Sequence, residues 1–216
     1  MISKLTILGI LVSLVLPSPA SAQAKPQEPT RTAAIETRLV RDTNGCLNAI
    51  DLWLVSTTDT IQGFEVVLQW DRPNAVQFVR GQDKTAQAPS ALDSLTALLK
   101  PSDPKTQIPA KRVGDLISDW EFVEARSMDG HTAKVLGVAK LFGQDEPKPI
   151  LPGASGALLR IPIAVKSAGD APADSLPITL NFDAAGTRLS THRGVLFGPL
   201  TLKSTPVKSL ACEAKR

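Results

Sequence analysis

The run from Ile61 to Val79, Ile-Gln-Gly-Phe-Glu-Val-Val-Leu-Gln-Trp-Asp-Arg-Pro-Asn-Ala-Val-Gln-Phe-Val, constrains the fold more than any other segment of this chain. Phe64, Val66, Leu68 and Trp70 alternate with Gly63, Glu65, Val67 and Gln69, the period-two pattern of a strand with one face in a core. Pro73 cannot donate to a sheet ladder and moves Arg72 out of the helical region, so the strand stops at Asp71. A second strand, Ala75 to Val79, follows across a short connection.

The same reading extends along the chain. Ile35 to Val40 and Leu47 to Val55 read as strands around the turn dipeptide Asn44-Gly45. Asp119 to Arg126 and Thr132 to Phe142 form a hairpin through Met128-Asp129-Gly130. A Pro-rich loop, Gly143 to Gly153, precedes strands at Gly156 to Lys166 and Leu176 to Phe182; after a turn at Ala185-Gly186 come Thr187 to His192 and Val195 to Lys203. Between them, Gly81 to Arg112 changes character. Within it Ser90 to Lys100 has helical spacing, with Ser90 and Asp93 as a capping box, Leu92, Leu95 and Leu99 as a stripe, and Pro101 as the stop. Short strands punctuated by Gly and Pro, without βα alternation, predict an all-β fold: a nine-stranded antiparallel jelly-roll β-sandwich with a short helical insertion.

Residues 1–22 combine Lys4, an apolar stretch from Leu5 to Leu16, Pro17 and Pro19, and the triplet Ala20-Ser21-Ala22, the pattern of a secretory signal cut after Ala22. The apolar stretch, about 12 residues, is short of the roughly 20 that a bilayer needs. No later segment is long and apolar enough to span, so a soluble product, secreted or periplasmic, is expected. Residues 23–34 are polar and Pro-containing and read as a flexible leader; 35–212 form one domain. Two cysteines in an exported chain suggest one disulfide, between Cys46 and Cys212 near the domain's two ends.

Reactive groups are few. There are two histidines, two cysteines and no tyrosine, and no nucleophile elbow, metalloprotease, EF-hand or phosphate-loop motif. His131 and His192 stand without a paired carboxylate or nucleophile. Asp115, Asp119, Glu121 and Glu124 cluster in sequence, but their spacing matches no calcium loop or glycosidase pair, and along a strand they form a solvated face. The chain is therefore read as non-enzymatic, with no catalytic residue, metal or cofactor. A formal net charge of +3, with cations interspersed among acids, disfavours nucleic acid. Trp53 lies in the apolar run Ile50 to Val55, Trp70 closes the alternating strand and Trp120 belongs to Asp119-Trp-Glu-Phe122; all three are expected in the core, which argues against a sugar platform.

The order of segments adds a family likeness. Gly63-Phe-Glu-Val-Val-Leu-Gln-Trp-Asp-Arg-Pro with Val76 to Val79, then Gly114-Asp-Leu-Ile-Ser-Asp-Trp-Glu-Phe122, then Gly156 to Val165, then Pro177-Ile-Thr-Leu180 resembles a cohesin domain over roughly Ile35 to Leu210. The resemblance implies a nine-stranded jelly roll whose first and last strands run together, which would bring Cys46 near Cys212. It also implies a protein partner, dockerin-like or an envelope protein, bound on one sheet face. The face would carry Glu65, Val67 and Gln69 from the first strand of the motif, and Glu124, Arg126, Leu136 and Val138 from the hairpin. The alternatives are a carbohydrate-binding module taking a polysaccharide, and a structural domain that docks an envelope assembly through the Leu92 to Leu99 stripe.

Overall fold

The computed structural model describes residues 30–72, 75–81, 104–127, 129–140, 148–165, 178–191 and 193–207. Twelve strands are present among them. In chain order they are β1 (Ala33–Arg41), β2 (Leu47–Thr57), β3 (Gly63–Trp70), β4 (Val76–Phe78), β5 (Lys111–Arg112) and β6 (Phe122–Arg126). There follow β7 (Thr132–Val138), β8 (Gly156–Val165), β9 (Ile178–Phe182), β10 (Arg188–Ser190), β11 (Leu200–Lys203) and β12 (Thr205–Val207). They form two sheets, one ordered β11-β1-β2-β8-β4 with β5 also on β8, the other β12-β9-β3-β7-β6 with β10 also on β3. This is the jelly-roll sandwich expected, with extra short strands at its edges.

Alternation decides which side chains meet between the sheets. Ile50, Leu52 and Leu54 of β2, Phe64, Val66, Leu68 and Trp70 of β3, and Leu159 and Ile161 of β8 are almost fully buried. Each such side chain contributes on the order of 2 kcal/mol of burial free energy, so the inter-sheet layer dominates stability. Phe64 packs on Trp120 with ring centroids 5.3 Å apart, and Trp70 on Phe78 at 5.9 Å.

A corner opened by Asp71 and Arg72 takes the chain from one sheet to the other. Asp71 ends β3 by clamping β9: its N–H donates to the Thr179 carbonyl at 3.1 Å, and its Oδ1 accepts the Thr179 N–H at 2.9 Å. Beyond the corner β4 pairs with β8, Val76 opposite Val165, on the opposite sheet. At the other end β1 and β11 run parallel, Ala33 beside Leu200 and Ile35 beside Leu202, so the expected meeting of first and last strands is present. The final segment then changes sheets. β11 pairs with β1, whereas β12 pairs with β9, and Thr205 Oγ1 donates to the Thr37 carbonyl at 2.5 Å and accepts from Thr37 Oγ1 at 2.9 Å.

Several expectations shift. β1 begins at Ala33, so Ala33 and Ala34 are strand rather than leader, and Ala33 is buried. β6 begins only at Phe122; residues 116–119 make a turn that tucks Trp120 into the core, its Nε1 donating to the Lys148 carbonyl at 3.1 Å. Trp53 is not a core residue. Asp51, Trp53 and Val55 alternate outward from β2, and the Arg38 guanidinium lies 3.6 Å over the Trp53 ring. An uninterrupted apolar run concealed that alternation. The helix at Ser90 to Lys100, the signal, residues 23–29, His192 and Cys212 lie outside the described residues. Cys46 follows the turn after β1, and among the described residues no cysteine is free.

Candidate functional site

β3 is the central strand of the second sheet, and its outward residues are set by the same alternation that buries Phe64 to Trp70. β7 pairs with it along its whole length, and β6 with β7. The register aligns side chains in rows. Glu65 stands opposite Leu136, which stands opposite Glu124. Val67 stands opposite Lys134, opposite Arg126; Gly63 opposite Val138, opposite Phe122; and Gln69 opposite Thr132. All seven residues expected from the sequence, Glu65, Val67, Gln69, Glu124, Arg126, Leu136 and Val138, therefore share one outer face. The face spans three strands about 4.8 Å apart and, from row 63 to row 69, roughly 20 Å along them.

Its charges are held in place. Lys134 Nζ lies 2.5 Å from Glu65 Oε1 across the β3-β7 ladder. Arg126 grips Glu124 in a fork, Nε to Oε1 at 2.7 Å and Nη2 to Oε2 at 2.6 Å. The hydrogen bonds to Glu124 raise the Arg126 pKa above its ordinary value, against partial burial, which lowers it. These pairs frame half-buried Leu136. A surface pair such as Glu65–Lys134 contributes only about 0.2–1 kcal/mol, so a competing partner can break it at small cost.

Val67 has a neighbour that sequence reasoning did not supply. The turn after β9 lies against it: the Asp183 N–H donates to the Val67 carbonyl at 2.9 Å, and the Val67 N–H donates to Thr187 Oγ1 at 3.2 Å. A Cβ on Gly186 would stand 2.8 Å from Val67 Cγ2, so the glycine lets the turn press onto the valine. Val67 is thus half-covered by this turn rather than standing open on the binding face.

Other side chains belong to the same face. Lys134 and Thr132 follow from the period-two spacing of the hairpin strand and were readable from sequence. Arg188, opposite Glu65, and Asn181, opposite Gln69, come from β10 and β9, whose positions beside β3 only the fold reveals.

The carboxylates clustered in sequence do not converge. Asp119 pairs with Lys148 at 2.5 Å, which holds its pKa below the ordinary carboxylate value, whereas Glu124 points onto the sheet face. Among the described residues no group of three His, Cys, Asp or Glu side chains is placed to hold a metal. His131 lies at the hairpin turn with Nε2 3.3 Å from Asp129 Oδ2. No helix among the described residues is long and apolar enough to cross a membrane.

The molecule thus belongs structurally to the two-sheet jelly rolls, with ion pairs across one outer face. No family model matches the sequence, nor does any curated protein. Solved structures do match in fold, cohesins among them. The third cohesin of ScaC from Acetivibrio cellulolyticus, in complex with the ScaB dockerin, superposes with a TM-score of 0.51 at 11% identity, over 84% of this chain and 100% of that one. The sixth cohesin of scaffoldin B from the same organism, in complex with a mutant Cel5 dockerin, gives 0.51 at 8% identity over 82% and 98%. A type II cohesin domain from the cellulosome of that organism gives 0.50 at 12% identity over 83% and 95%. The chain has a cohesin-like fold.

Proposed function

We propose that this chain is an exported, non-catalytic module that binds a protein partner through the outer face of β6, β7 and β3, in the manner of a dockerin on a cohesin. The supporting observation is the alignment of Glu65, Leu136 and Glu124 in one row across three strands, with Lys134 and Arg126 in the next. The face is polar-framed, with apolar centres at Leu136 and Val138, the composition of a protein interface rather than of a small-molecule cleft. A standard interface takes roughly 800 Å² from each partner, more than three strands supply, so the footprint extends to Asn181 and Arg188. The signal at 1–22 and a Cys46–Cys212 disulfide form part of the same reading, the latter supported by Cys46 not being free.

Pull-down from the native extracellular and envelope fractions tests it. A specific protein should be retained by the intact module and lost with Glu65→Arg combined with Gln69→Ala. Retention by the double variant, or no retained protein, sinks this face as the binding site.

A further inference from the structure

The outer face of the other sheet gathers cations that are far apart in sequence. Arg38 of β1 stands opposite Asp51 of β2, Asp51 opposite Arg160 of β8, and Arg160 opposite Lys111 of β5. This single row crosses four adjacent strands. In the neighbouring row Lys203 of β11 stands beside Glu36 of β1, which stands beside Trp53 of β2. Seven chemistry-bearing side chains thus occupy two rows, on strands about 4.8 Å apart.

The two acids lie beneath the cations. The Glu36 and Asp51 side chains are 15% and 11% exposed, against 47% for Arg38, 42% for Arg160 and 76% for Lys203. Arg160 holds Asp51 in a fork, Nε to Oδ1 at 2.8 Å and Nη2 to Oδ2 at 2.9 Å. Arg38 gives its Nε–H to Glu36 Oε1 at 2.6 Å and rests its guanidinium plane on Trp53. Fixed by carboxylate and indole, these guanidinium groups are pre-organised for planar anions, which a flexible ammonium is not.

We infer that this second face binds an acidic polysaccharide, one carrying carboxylate or sulfate groups along a linear chain. Four cations against two acids leave an excess of two positive charges along a strip, which complements a linear polyanion. The largely covered carboxylates hold the guanidinium groups in place from beneath, and the exposed cations offer donors to the anionic and hydroxyl oxygens of a sugar chain alike. Duplex nucleic acid fits less well, because strong binding takes many phosphate contacts and the acids oppose each one. A protein partner would need a desolvated apolar anchor at the centre of its footprint, and here the central aromatic lies under Arg38. An anionic membrane rewards cations spread in two dimensions beside an inserting apolar side chain rather than in a strip.

Calorimetric titration of the intact protein with sodium polygalacturonate, alginate or heparin at low ionic strength, with dextran as the neutral control, tests the inference. At least one acidic glycan should bind saturably and more weakly as salt is raised, and dextran should not bind. Lys111→Glu with Lys203→Gln, both exposed positions and the second leaving Glu36 its Arg38 partner, should weaken binding at least about tenfold at an unchanged melting temperature, since together they remove the excess positive charge of the strip. Glu65→Arg on the opposite sheet should leave it intact. Absence of binding to all three glycans, indifference to the double variant, or equal binding to phosphatidylglycerol vesicles or duplex DNA overturns it. Arg160 is left in place because its loss would strand Asp51.

Discussion

At Gly137 the hydrogen in place of a methyl group decides how β7 meets β3. A Cβ there would lie 2.4 Å from Cε1 and Cζ of Phe64, whose ring is buried against Trp120. Alanine in a strand gains at most about 1 kcal/mol over glycine from backbone entropy. Overpacking a well-filled core costs about 1–3 kcal/mol, so the clash wins. Gly137→Ala should therefore lower the urea midpoint by the equivalent of about 1–2 kcal/mol, and Phe64→Leu should recover part of that loss. Asp129 acts through protonation. Burial pushes its carboxyl up, but the N–H groups of Thr132 and His131, donating to Oδ1 at 2.8 and 3.0 Å, outweigh burial and hold it below the ordinary value. A lowered native value means the stabilisation is complete above the unfolded-state pKa, about 3.9, and fades as pH falls through the native one. Asp129→Asn should reduce the difference in stability between pH 6 and pH 3 measured by denaturant titration; an unchanged difference would remove Asp129 as its source. Single residues were the least legible in sequence where apolar neighbours surround them. Trp53 sits between Leu52 and Leu54, and the outward alternation of Asp51, Trp53 and Val55 becomes visible only once Ile50, Leu52 and Leu54 are known to face in.

At the scale of elements, most strands were legible, the three-residue β4 and β10 among them. β3, β7 and β8 carry alternation or apolar runs bounded by Gly and Pro, so their positions follow from pattern. β5, of two residues, and β12, of three, were not, because they form where β8 and β9 offer them unpaired backbone groups. The site divides likewise. The shared outward side of Glu65 and Gln69 followed from the two-residue period, and their grouping with Leu136 and Val138 from the cohesin resemblance, whereas Arg188 enters the face through its pairing with Glu65, which lies in a distant segment. The β11–β12 segment makes a further prediction. The Thr205 hydroxyl satisfies Thr37 at the crossing point between sheets, with Thr37 itself 3% exposed. Removing one partner of such a pair leaves the other desolvated, a cost of about 1–3 kcal/mol. Thr205→Val should cost that much by chemical denaturation. Thr37→Val with Thr205→Val should cost less than the two single changes summed, because neither hydroxyl is then left alone; strict additivity would show that the two do not interact.

For the whole molecule, the inter-sheet core rather than a cross-link supplies the fold. A disulfide closing a loop as long as that from Cys46 to Cys212 contributes at most about 5 kcal/mol, and commonly about 2–4. Set against a net stability of about 5–15 kcal/mol, that is a large share. Cys46→Ala with Cys212→Ala should leave a folded β-sandwich by circular dichroism, with a melting temperature lower by on the order of 10 °C; an unchanged melting temperature would argue against the proposed pairing. The row Arg38, Asp51, Arg160 and Lys111 was not legible in the sequence, because it depends on which strands from distant segments become neighbours. The crossing of the last strands has a consequence in time. Since β11 completes one sheet and β12 the other, the first is not finished until Lys203 nor the second until Val207 is free to pair, and β1 must wait through more than 150 intervening residues for its parallel neighbour. Folding is therefore late and dominated by distant contacts, the class that folds slowly. A nascent chain stalled before Leu200 would present the free edges of β1 and β9 side by side, and any factor that recognises unpaired strands would find this protein throughout its synthesis.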